Sequence, residues 1–154
     1  MSTSTANYRR PGRVTRRLLN PAVAGLTRAG VSVWGSRILE TNGRRSGLPR
    51  RTPVNLLLVD GNRYLVSPRG ESDWVRNIRS DGGRLVLIVG RQREALVARE
   101  LVDGDKPPIL RAYLRRWKME VGAFFEGVTA DSNEADLTRI APHHPVFVLT
   151  DPTI

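Results

Sequence analysis

The chain has no cysteine among its 154 residues. Disulfides, thiolate nucleophiles and zinc–thiolate centres are therefore excluded together. Long apolar runs are missing as well. None approaches the roughly 20 residues that cross a bilayer, and the N-terminus carries no apolar signal core. These absences read as a cytoplasmic protein, with peripheral contact at the inner face of the cell membrane left open. Histidine is scarce: His143 and His144 are adjacent, precede Pro145 and lack helical ligand spacing or a carboxylate cluster. They do not read as a metal site. The segment "GRRSG" lacks the spacing and lysine of a Walker loop. Ser46 stands in no nucleophile-elbow context and has no evident base.

Acid is nearly absent from the first third. Residues 1–52 hold eleven arginines and one carboxylate, Glu40, whereas the remainder balances fourteen basic against fourteen acidic side chains. The net charge of +10 therefore marks one region as the partner of something anionic. Within "ETNGRRSGLPRRTPVNLLLVDG", Arg44, Arg45, Arg50 and Arg51 fall in eight residues of a loop-like segment. Gly43 and Gly47 allow tight turns and close approach of a ligand. Arginine forks grip phosphate or carboxylate with two parallel hydrogen bonds, and Ser46 adds a hydroxyl and an amide. Arg69, after a later strand, offers another fork. From the residues alone, a phosphate cradle and a solvated basic turn both remain open.

A chain of this length, 40% apolar and 26% charged, suits one domain with a true core. Residues 1–12 read as a flexible basic tail. Over 13–34, Leu18, Ala22, Leu26, Ala29 and Val33 recur at helical spacing, with Pro21 starting or kinking the helix. Residues 35–154 read as the strand-rich folded domain. "RILET" opens its strands, and "TPVNLLLVDGNRYLVS" reads as a hairpin turning at Asp60-Gly61-Asn62. "SDWVRNIRSDGG" is a short helix that Ser72 can cap, with Trp74, Asn77 and Ile78 on one face. A second hairpin turns near Gly90-Arg91. Ile109, Leu110, Tyr113, Leu114 and Trp117 then line one side of a helix that Asp105 can cap. "SNEADLTRI" suggests a last helix and "HPVFVLT" a last strand. The order implies an α+β, mainly β fold: about six mostly antiparallel strands closing as a small barrel, with an N-terminal helix and flanking helices.

The run "TNGRRSGLPRRTPVNLLLVDGNRYLVSPRG…DWVRNIRSDGG" resembles the deazaflavin (F420)-dependent nitroreductase family, split β-barrel oxidoreductases of flavin/deazaflavin class A. The resemblance covers about Ile38 to Val97, with a looser match at "HPVFVLT". It implies a split barrel that binds coenzyme F420, whose phosphodiester and poly-γ-glutamate tail are anionic. By the same resemblance Arg44, Arg45, Ser46 and Gly47 hold the phosphate end, and Arg50 reaches the phosphate or the tail. Pro53 shapes the wall beneath the ring, Arg69 binds the tail, and Trp74 and Asn77 meet the deazaflavin. The implied activity is hydride transfer from the reduced cofactor to an electron-poor, hydrophobic acceptor: a quinone, enone, nitro compound or unsaturated lipid. No catalytic side chain is implied, which suits cofactor-borne chemistry. Two departures stand out. The segment between Gly70 and Trp74 is short, and the substrate-side tyrosines are missing, with Asn55 at one such position and Phe124 and Phe125 near the other.

Two alternatives remain. One is the same barrel loaded with FMN. The other is a basic nucleic-acid module, against which stands the lack of helix-turn-helix, zinc-finger or RNA-recognition aromatic patterns. The oligomeric state is left open, a homodimer among the options.

Overall fold

A computed structural model describes residues 36–152. The basic tail over 1–12 and the helix expected over 13–34 lie outside the described residues. Seven strands run in the order β1 (Ser36–Asn42), β2 (Pro49–Asn55), β3 (Leu57–Val59), β4 (Asn62–Val66), β5 (Arg84–Val89), β6 (Gln92–Glu100) and β7 (Val146–Thr150). Helix α1 (Asp73–Ser80) follows β4, and α2 (Pro107–Val121) and α3 (Glu134–Ile140) follow β6. Hydrogen bonding links the strands in the order β2-β1-β5-β6-β7-β4-β3. The β1–β2, β1–β5, β3–β4 and β5–β6 pairings are antiparallel. The fold is α+β and mainly β.

The chain divides into two compact units. One comprises 57–72 and 100–148, and its core is helical. Ile109, Leu110, Tyr113, Leu114 and Trp117 of α2 are all buried, as their spacing predicts, together with Leu137 and Ile140 of α3 and Val146 of β7. The Tyr113 ring lies 5.3 Å from Trp117 and 6.1 Å from Phe125. Fully burying side chains of this size contributes roughly 1.5–3 kcal/mol each. Trp117 itself leaves helical geometry (φ −128°, ψ 29°), so α2 kinks there. The carbonyl at the start of α2 is that of Lys106, which accepts from the Leu110 amide at 2.8 Å. Lys106, not Asp105, thus stands at the capping position. Asn133 caps α3, its Oδ1 accepting from the Asp136 amide at 2.9 Å.

The other unit comprises 36–56, 73–99 and 149–152. β1 is its central strand, with β2 on one side and β5 on the other. The β5–β6 hairpin turns at Gly90-Arg91, as expected. Two features differ from the sequence reading. The apolar run expected as one strand is two, because pairing stops at Leu56: residues up to Asn55 pair with β1, and Leu57 begins the pairing with β4. Arg50 and Arg51 also belong to a strand, not a loop, because β2 starts at Pro49 and carries both into the ladder with β1.

Candidate cofactor-binding site

The glycine- and arginine-bearing segment is the turn between β1 and β2. The Gly43 amide donates to the Leu48 carbonyl and the Gly47 amide to the Gly43 carbonyl, each at 2.8 Å. Gly47 is left-handed at φ +72°, a conformation that glycine adopts without steric cost. A Cβ at Gly43 would sit 2.8 Å from Ser46 Oγ, 3.3 Å from the Leu48 carbonyl oxygen and 3.5 Å from Arg50 Nε. The Arg50 side chain therefore crosses over the turn, and Gly43, Ser46 and Arg50 are brought together. Ser46 Oγ also accepts from the Leu48 amide at 3.1 Å.

The four arginines divide by partner. Arg51 pairs with Glu40 directly across the β1–β2 ladder, its Nε donating at 2.8 Å. Arg93 donates to the other Glu40 oxygen. Glu40 is buried, and the hydrogen bond from Arg93 leads the effects that hold its carboxyl below its ordinary pKa. Arg44 donates its amide (3.2 Å) and Nη1 (2.9 Å) to Asn77 Oδ1 and its Nη2 to Asp73 (3.3 Å). Among the described residues, neither the Arg45 nor the Arg50 side chain has a hydrogen-bond or ion-pair partner.

Helix α1 supports the turn from both ends. Asp73 and Asn77 lie one helical turn apart and so present themselves to Arg44 together. Past the far end, Asp81 accepts from Asn42 Nδ2 at 3.1 Å, and the Arg84 hydrogen bond holds the Asp81 carboxyl below its usual range. Asn77 is buried and donates its Nδ2 to Thr41 Oγ1 at 3.2 Å. Trp74, on the same helix, is half-buried.

Arg44, Arg45, Ser46, Gly47, Arg50 and Asn77 thus cluster around one turn. Pro53 does not join them on the same face. Residues directly opposite share a face and successive residues alternate. Thr41 and Arg50 lie across from one another on one face, and Ile38 and Pro53 do so on the other, with Glu40 and Arg51. Arg69 belongs to the other unit, where its guanidinium lies 4.7 Å from the centre of the Phe124 ring. Phe125 is fully buried and stacks on His144 at 4.1 Å. Sequence reasoning missed Thr41 and Asp73. Thr41 opens the "TNGRRSG" run, and Asp73 sits four residues before Asn77, a spacing that places both on one helical face. Among the described residues no group of three acidic or histidine side chains could hold a metal ion, and no helix is long and apolar enough to cross a membrane.

The family described as F420H(2)-dependent quinone reductase matches residues 12–127, well over half of the chain. The chain belongs to that family. As an F420H(2)-dependent quinone reductase family member it is an oxidoreductase, and the match takes in the β1–β2 turn and α1. Solved structures share its fold at low identity. An F420-H2 dependent reductase (FDR-A) is 16% identical with a TM-score of 0.52, covering 75% of this chain and 94% of its own. A structure described as a domain-swapped dimer is 16% identical with a TM-score of 0.55, covering 90% and 94%. A conserved hypothetical protein, Rv2991, from Mycobacterium tuberculosis is 16% identical with a TM-score of 0.50, covering 86% and 81%. Nothing among curated proteins matches the chain.

Proposed function

We propose that this family member binds reduced F420 with its anionic end at the β1–β2 turn and reduces a small, electron-poor acceptor such as a quinone, an enone, a nitro compound or an unsaturated lipid. The observation that carries the reading is the pair of arginines, Arg45 on the turn and Arg50 at the start of β2, whose side chains have no partner among the described residues although the turn beside them is held in place. The donor set fits an anionic ligand: two guanidinium forks, the Ser46 hydroxyl and glycine backbone that leaves room for close approach. Arg69 is a further candidate for the tail, and Trp74 for the ring. Pro53, on the opposite face of β2 from Arg50, is the candidate for the wall beneath the ring.

When bound, the reduced deazaflavin supplies the hydride. The chain's part is to anchor, orient and exclude water, and no side chain is asked to act as nucleophile or metal ligand. Arg45 and Arg50 supply charge-assisted hydrogen bonds to phosphate or glutamate oxygens. Fluorescence titration of the purified protein with F420 and, in parallel, with FMN tests the reading. Tighter binding of F420 is expected, since FMN lacks the polyanionic tail. Equal or tighter FMN binding would transfer the site to a flavin.

A further inference from the structure

We propose that Arg44 is a positioning residue that locks the anion-binding turn onto α1 through the Asn77 carboxamide, leaving the cofactor's charge to Arg45 and Arg50. The inference rests on the F420 reading only for the identity of the ligand.

Asn77 is only 3% exposed and Thr41 2%. At that depth each polar atom needs a partner, because an orphaned buried acceptor is costly. Asn77 Nδ2 is committed to Thr41 Oγ1. Asn77 Oδ1 takes two donors from one residue, the Arg44 amide and Nη1. The carboxamide is thereby fixed in orientation and already supplied with partners. It links β1, the turn and α1 at a single point. Arg44 Nη2 meets Asp73, so its positive charge is compensated within the protein.

The same division runs through the arginine cluster. Arg51 is neutralised by Glu40 and Arg44 by Asp73. Arg45 and Arg50, which have no acid partner among the described residues, lie between them in sequence. A turn with two glycines has few constraints of its own, and only two backbone hydrogen bonds close it. A ligand that had to order such a turn would lose affinity to that ordering. The Arg44–Asn77 contact removes much of that cost before the ligand arrives.

The test compares charge with geometry. Arg44→Ala and Arg44→Lys should each weaken F420 binding by about five- to tenfold, the range for losing a supporting hydrogen bond. Lysine keeps the charge but loses the fork, so it should restore little. In both variants the salt dependence of binding should match wild type, whereas Arg45→Ala should flatten it, since only a charge facing the ligand is screened with it. The double variant Arg44→Ala/Asn77→Ala should bind no more weakly than the weaker single variant, because both remove one contact. Full rescue by Arg44→Lys, or a salt dependence as flat as that of Arg45→Ala, would overturn the proposal in favour of direct anion contact. A ligand-free measurement separates the lock from the cofactor. In Arg44→Ala, amide hydrogen exchange should accelerate at Gly43 and Gly47 while the buried α2 amides keep wild-type protection. Unchanged exchange at the turn would overturn the lock. Accelerated exchange in a protein whose wild type ignores F420 would keep the lock and remove the cofactor assignment.

Discussion

Glu40 faces Arg51 across the β1–β2 ladder and holds Arg93 with its second oxygen, so one buried carboxylate joins β1 to a neighbouring strand and to the β5–β6 hairpin. Both arginines are about half exposed at their side chains, whereas Glu40 is not. The carboxylate is the member whose loss matters. Glu40→Gln should lower stability by about 1.5–3 kcal/mol, the scale of lost hydrogen bonds to charged groups. Urea denaturation of the two proteins checks this. Equal midpoints would make the pair an ornament of the surface.

Arg45→Ala and Arg50→Ala should each weaken F420 binding by about ten- to a hundredfold, given roughly 1.5–3 kcal/mol for a hydrogen bond to a charged group. Neither side chain has a partner among the described residues, so folding should be untouched. Arg91→Ala, on the exposed β5–β6 turn, is the control and should bind as wild type. Fluorescence titration in dilute and in concentrated salt reads all three variants. Wild-type affinity in folded Arg45→Ala and Arg50→Ala would send both arginines back to a solvated turn.

Gly47→Ala tests the turn's backbone. Nothing lies within 4 Å of the added Cβ, so sterics with neighbours contribute nothing. The φ of +72° alone carries the effect, about 1–2 kcal/mol for a residue with a Cβ. Stability should fall by that amount, and Gly47→Asn should recover part of it, since asparagine enters the left-handed region more readily. Thermal melts of the three proteins decide the matter.

His144 makes folding sensitive to mild acid. Burial pushes its pKa down to about 4, against a hydrogen bond to the Ser67 carbonyl that acts in the opposite sense. The Phe125 ring covers one face. Lys106 and His143 add to the lowering and Glu126 opposes it. Above about pH 6.5 the ring is neutral whether the chain is folded or not. Below that the unfolded chain takes up a proton that the folded one refuses, so stability falls with pH until about 4 and then levels. The loss between pH 7 and pH 5 should be about 2 kcal/mol. Glu40, with a lowered carboxyl pKa, adds its own loss only at lower pH, as the unfolded chain begins to protonate near 4.5. Denaturation of wild type and His144→Gln at both pH values measures it. A parallel fall in the two proteins would assign the acid sensitivity elsewhere.

Much of this was legible in local chemistry. Helical spacing alone identified the buried side of α2, and Gly90-Arg91 marked a hairpin. The turn at Gly43–Leu48 could be read from its glycines. What local chemistry could not supply is partnership across the chain. "VNLLLV" is apolar throughout, and only the pairing of Asn55 with β1 and Leu57 with β4 divides it. Four arginines in a row of eight look alike until Glu40 and Asp73 claim two of them. Pro53 follows Arg50 closely in sequence, yet strand alternation sets it on the other face. The part played by Thr41 depends on Asn77, 36 residues away, and no local pattern announces it.

The distance between Arg44 and Asn77, 33 residues, also orders events in time. β1, the turn and β2 are contiguous, so the hairpin bearing all four arginines is complete in the emerging chain before α1 has been made. At roughly 5–20 residues per second of synthesis, about two to seven seconds separate the first member of the lock from the second. During that interval a bare basic hairpin faces the polyanions of the translation machinery with neither Asp73 nor Asn77 to restrain it. Only with the arrival of α1 does Arg44 gain an acid partner and the turn its anchor at Asn77.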